Sequence, residues 1–138
     1  KIITAADLYK NTNTTGARLL PGIGISGAGI TSNEFAARIF YELNLTAGSY
    51  EIVVKCLPTF AMEKEKQLTY NIALNNETAK SVNVHAEAES AIWKENVLQG
   101  FSQGTSQHVV DKDGSSIIKM VLKNKNLVIS QIEIYKTR

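Results

Sequence analysis

Residues 49–58 read SYEIVVKCLP, and their period decides the class of fold. Tyr50, Ile52, Val54 and Cys56 fall on one side of an extended chain and Glu51, Val53, Lys55 and Leu57 on the other. Pro58 ends the run, because proline has no N–H to give to a ladder. The same period governs Leu68, Tyr70, Ile72 and Leu74, opposed by Thr69, Asn71 and Asn75, which reads as a half-buried antiparallel strand. Turn chemistry at Asn75 and Asn76 leads into residues 81–85, where Val82 and Val84 continue the alternation.

Working outward, SIIKMVLK (116–123) and LVISQIEIY (127–135) are two β-rich runs separated by Asn124, Lys125 and Asn126, and they read as a hairpin. Residues 31–45 carry two patterns. Thr31 and Glu34 mimic a capping box with Phe35, Ile39 and Leu43 at helical spacing, whereas Ile39, Tyr41, Leu43 and Leu45 alternate as a strand does. The β-rich surroundings favour the strand. In SAIWKENVLQ (90–99), Ser90 as N-cap and Gly100 as stop predict one short helix or helical turn, with Trp93, Asn96 and Val97 on one face. About seven short strands divided by turn residues predict an all-β protein, an antiparallel sandwich of the jelly-roll kind.

The 138 residues, 43% of them hydrophobic, suffice for a single domain spanning 1–138. Fifteen basic side chains are scattered among thirteen acidic ones for a net charge of +2, which offers no stripe for phosphate and argues against nucleic acid. No apolar run reaches the roughly 18 residues of a membrane span, so no membrane partner is expected. KIITAADLYK lacks the apolar core of a signal peptide, and a start at Lys1 without methionine suggests a fragment or a mature form. Cys56 is the only cysteine and sits in an apolar strand, where a buried, inert thiol is expected. Asn13, Asn44 and Asn76 head Asn-x-Thr acceptors of the kind that an Asn- and Thr-rich chain produces by chance.

Several motifs need weighing. GIGISG (22–27) matches the glycine pattern of dinucleotide sites, with Glu42 downstream, but Pro21 precedes it where a buried strand should run in. A glycine-rich loop with positive φ angles, passing close to another backbone, is the expectation. His85, Glu87 and Glu89 would project together from an extended segment but lack a fourth ligand, so neither a metal nor any other cofactor is expected. No serine or cysteine nucleophile is recognisably paired with a base and an orienting acid, and no two carboxyls form a glycosidase pair. No catalytic residue is therefore assigned, and the chain is not expected to be an enzyme by itself. Trp93, the single tryptophan, is read as a core anchor or a sugar platform, and His108 in TSQHVV as a structural hydrogen-bonding residue. The residues of a glycan contact would be Trp93, Asn96, Glu89 and His108.

The opening ITAADLY (3–9), LPGIGISGAGIT (20–31), AGSYEIVVKCLPTF (47–60), LTYNIALNN (68–76), WKENV (93–97), TSQH (105–108) and the closing LVISQIEIY resemble the C-terminal β-sandwich domain of family 115 glycoside hydrolases, the xylan α-glucuronidases. The more specific elements are Pro58-Thr59-Phe60, then Trp93-x-x-x-Val97, then Ser106-x-His108. The resemblance implies a galactose-binding-domain-like accessory domain, the C-terminal fragment of a larger periplasmic or extracellular enzyme whose catalytic centre lies in a separate region. It also implies that catalytic region as a packing partner, glucuronoxylan as a polysaccharide partner, and homodimer formation by the parent. An autonomous carbohydrate-binding module is the alternative. The chain departs from the family pattern at Asp113-Gly114-Ser115-Ser116, where a Gly-Lys-His-type turn is common. Its Ala5-Ala6-Asp7 replaces the Ala-Glu pair that helps hold calcium in related sugar-binding sandwiches, so no calcium site is implied.

Overall fold

The structure, a computed structural model, describes residues 1–11, 16–22, 27–32, 37–57, 68–84, 102–123 and 127–137. The elements run β1 (Ile2–Thr4), α1 (Ala5–Asn11), β2 (Ala17–Pro21), β3 (Ala28–Ser32), β4 (Ala37–Leu45), β5 (Gly48–Cys56), β6 (Thr69–Leu74), β7 (Lys80–Asn83), β8 (Ser102–Val110), β9 (Gly114–Leu122) and β10 (Ile129–Thr137). Two sheets form. One has six strands in the order β2-β3-β10-β5-β8 with β1 also on β10, and the other has four in the order β4-β9-β6-β7. All pairings are antiparallel.

The alternation foreseen for β5 holds, since Tyr50, Ile52, Val54 and Cys56 are all buried. They meet Ile129, Ile132 and Ile134 of the adjacent β10 and, from the facing sheet, Ile39, Tyr70, Ile72, Leu74, Ile118, Met120 and Leu122 in a single core. Residues 37–45 are a strand, as the β-rich surroundings suggested, with Ala37, Ile39 and Leu43 buried and Arg38, Phe40 and Glu42 exposed. The turn at Asn75 and Asn76 joins β6 to β7 in a hairpin, and Asn75 takes a left-handed backbone with φ 58.

Three features depart from the sequence reading. SIIKMVLK and LVISQIEIY are not a hairpin: β9 lies between β4 and β6, while β10 lies in the other sheet between β5 and the pair β1/β3. Both edges of each strand are already taken, so residues 124–126 connect strands of different sheets. Second, residues 5–11 form a helix that the reading passed over. Thr4 Oγ1 accepts the Asp7 N–H at 3.2 Å as an N-cap, and Ala5 and Leu8 bury one stripe of this two-turn element. Third, the end residues of GIGISG close the β2–β3 hairpin, with Gly22 N–H donating to the Gly27 carbonyl at 2.7 Å, and Gly27 leads into strand β3, not into a phosphate-binding helix. Gly22 and Gly27 have the expected positive φ of 77 and 85, but a Cβ at either would meet nothing within 4 Å, so close backbone approach is not their reason. The helical turn foreseen at 90–99 lies outside the described residues.

Candidate functional site

Strand β8 lies at the edge of its sheet among the described residues, and in its inward row Ser102, Gly104, Ser106 and His108, ahead of the aliphatic Val110, are small or polar where the core would ordinarily be aliphatic. At Gly104 the reason is space, because a Cβ there would stand 2.5 Å from the Tyr70 hydroxyl and 2.7 Å from Val82 Cγ1. At the other end of the row the reason is hydrogen bonding. His108 Nε2 lies 2.6 Å from Ser106 Oγ, and its Nδ1 pairs with Glu77 Oε1 from the β6–β7 turn. The same carboxylate oxygen accepts the Leu74 N–H at 2.8 Å. A carboxylate at Nδ1 holds the proton on that nitrogen, which leaves Nε2 to accept from the Ser106 hydroxyl.

This order of serine, histidine and carboxylate has the connectivity of a hydrolase triad, which the sequence reading did not find. Ser106 and His108 are visible in sequence two residues apart, but Glu77 comes from a hairpin of the opposite sheet and no local spacing announces it. Connectivity is not sufficient for chemistry. Ser106 is 7% exposed and His108 2%, and both belong to the inward row of β8, so Oγ is largely closed to a substrate carbonyl. The three residues act as a strut that ties β8 to the facing sheet. Both ring nitrogens of His108 are engaged in this link.

Around this strut the tight turns shape two clefts. A 630 Å³ depression is lined by Asn75, Asn76, Asp111, Lys112, Asp113 and Ser115 among others, and a 360 Å³ one by Ser49, Glu77, Lys80, Gln107, His108 and Thr137 among others. Two of the acids that border them are already engaged. Asp113 Oδ1 accepts the Ala47 N–H at 2.7 Å and Glu77 is held as described. Asn75 is fixed to β9 through Ile117 N–H to Oδ1 at 2.9 Å and Nδ2 to Ser116 Oγ at 3.2 Å. Among the described residues, no three His, Cys, Asp or Glu side chains are grouped to hold a metal.

Elsewhere, Cys56 is fully enclosed, and burial pushes its thiol up to about 12, so it has no nucleophilic form near neutrality. On the outer face of the six-stranded sheet, burial pushes the Glu133 carboxyl up, but hydrogen bonds from Lys55, Tyr135 and Gln131 together with the Lys55 charge outweigh it and hold the group below its ordinary value. The Lys55 contact is 2.8 Å and the Gln131 contact 2.6 Å.

Of the glycan-contact residues proposed from sequence, Trp93, Asn96 and Glu89 lie outside the described residues, as do His85 and Glu87. Their segment, 85–101, leaves from the end of β7 and enters at the start of β8. His108 lies about 20 Å further along β8, at roughly 3.3 Å per residue, so the strands themselves do not bring it to that segment's points of attachment.

Residues 3–138 match the model of the glycosyl hydrolase family 115 C-terminal domain. The chain belongs to that family. This family 115 C-terminal domain superposes over its whole length on part of BtGH115A, a family 115 4-O-methyl-α-glucuronidase with specificity for decorated arabinogalactans, at TM-score 0.83 and 16% identity. It spans 18% of that enzyme. It is also similar to two family 35 carbohydrate-binding modules. The one from Clostridium thermocellum gives TM-score 0.67 at 13% identity over 99% of this chain and 98% of the module. The one from Paenibacillus barcinonensis gives 0.65 at 14% over 99% of each. At such identities these likenesses establish the jelly-roll sandwich. No curated protein matches the domain by sequence.

Proposed function

We propose that this chain is the non-catalytic accessory domain of a periplasmic or extracellular family 115 glycoside hydrolase, packed beside a catalytic region that lies elsewhere in the parent and shaping the approach of an acidic polysaccharide such as glucuronoxylan. The observation that carries this reading is the match to the family's C-terminal domain over residues 3–138, in a chain that spans only 18% of a glucuronidase of the family. The enclosure of Ser106 and the engagement of Glu77 and Asp113 within the fold support it.

The test is an assay for uronic acid release from glucuronoxylan by the 138-residue chain. No release is expected. Turnover abolished by a single carboxylate substitution would overturn the reading. A second reading, an autonomous carbohydrate-binding module, is favoured by the nearly full mutual coverage with the two family 35 modules. Affinity electrophoresis separates the two, because retardation of the 138-residue chain by the undecorated xylan backbone as strong as that by glucuronoxylan is expected only of an autonomous xylan-binding module.

A further inference from the structure

On the outer face of the four-stranded sheet the described residues are not the usual mixture of charges. Across three strands, register aligns Phe40 of β4 with Lys119 of β9 and Ala73 of β6, and the neighbouring row aligns Arg38, Val121 and Asn71. Strand spacing makes the first row about 10 Å wide, with Arg38 about 7 Å along the strand from Phe40. Small Ala73 between longer side chains leaves a groove of 410 Å³, walled at one end by the β6–β7 turn.

Its chemistry is specific. Phe40 is 38% exposed, which leaves an aromatic surface available for stacking in a polar setting. Neither Arg38 nor Lys119 has an ion-pair partner among the described residues, so two cations converge on one groove. Asn71 lines the groove beside Val121 and Arg38. Glu77 at the wall is turned to His108 and the Leu74 N–H, and Glu42, one row beyond Phe40 opposite Ile117, is the only carboxylate on the outward positions of these strands.

We infer that this face is a binding groove for a carboxylated sugar unit of a polysaccharide side chain, with Phe40 stacking on the ring and Arg38 and Lys119 taking the carboxylate. Two cations select an anion, and a guanidinium fork matches the two oxygens of a carboxylate. That the ring is a sugar rests on the accessory-domain reading; that the ligand is anionic and ring-bearing rests on the groove alone. The site is separate from residues 85–101, where the sequence reading put its glycan contact.

Calorimetric titration of the 138-residue chain with a glucuronic-acid-decorated xylo-oligosaccharide, the undecorated oligosaccharide and a sulfated oligosaccharide tests this. The decorated ligand is expected to bind, more weakly as salt is raised, with the other two at least roughly tenfold weaker. Arg38→Gln, Lys119→Gln and Phe40→Ala, on exposed or half-exposed positions and checked for folding by circular dichroism, are each expected to weaken binding roughly tenfold. Absence of binding, equal binding of the undecorated oligosaccharide, tighter binding of the sulfated one, or a loss caused by Trp93→Ala but not by Arg38→Gln would each overturn the groove. Hydrolysis of the decorated ligand during titration is a different result, and it counts against the accessory-domain reading.

Discussion

The two sheets are joined across β8 in two different ways. At Gly104 they meet by the absence of a side chain, with the Tyr70 hydroxyl and Val82 filling the space. At His108, about four residues on, they meet through a chain of polar groups that ends on Glu77 in the facing hairpin. The first junction leaves a buried hydroxyl without a partner among the described residues, whereas in the second both ring nitrogens are engaged. One edge strand thus contributes nearness at one point and direction at another, and the two should respond differently to substitution.

The largest effect is expected from Gly104→Ala, whose methyl would collide with Tyr70 and Val82 and cost about 3 kcal/mol or more. Chemical denaturation measures it, and adding Tyr70→Phe should recover part of the loss; an additive double variant would break the assignment to that hydroxyl. His108→Ala is expected to cost about 2–3 kcal/mol by leaving Glu77 and Ser106 without their common partner. Ser106→Ala should cost less, about 1 kcal/mol, and equal costs would mean that packing and not polarity holds this junction.

Acid titration adds an outside reference. A carboxyl held below its ordinary value contributes stability above about pH 4.5, and that contribution fades as pH falls through its folded value. Glu133→Gln should therefore lower stability by about 1 kcal/mol at pH 7 and by progressively less as the pH falls below about 4.5. If acid destabilises wild type and this variant equally, the Glu133 network makes no contribution to the acid dependence. The smallest effect is expected from Tyr70→Phe alone, which removes a buried hydroxyl that has no partner among the described residues and should be neutral or stabilising by up to about 1 kcal/mol. A clear loss would reveal a hydrogen bond there.

Most of the fold was legible because burial imposes a period of two on the apolar rows of β5 and β6, although Val53, Thr69 and Ala73 on the opposite faces are buried too. What failed was pairing. The two closing runs look like a hairpin locally, but a strand chooses its partners by which edges are free, and that is settled by β4, β5 and β6 far away in sequence. The first helix was missed because its seven residues give too short a periodic signal, although Thr4 and Asp7 at cap spacing were there to be read. The groove could not be foreseen. Arg38, Phe40, Asn71 and Lys119 are ordinary solvent-side residues until register sets them in adjacent rows.

The first strand lies against the last. Lys1 and Ile134 exchange backbone hydrogen bonds of 2.9 and 2.8 Å, and the ladder then runs inward through Ile2, Ile3 and Thr4. Tension applied through Lys1 and Thr137 would act on the same end of this ladder, so its bonds would yield one after another, as a zip opens, instead of sharing the load. Under an optical trap β1 should peel away at low force, before the rest of the sandwich gives.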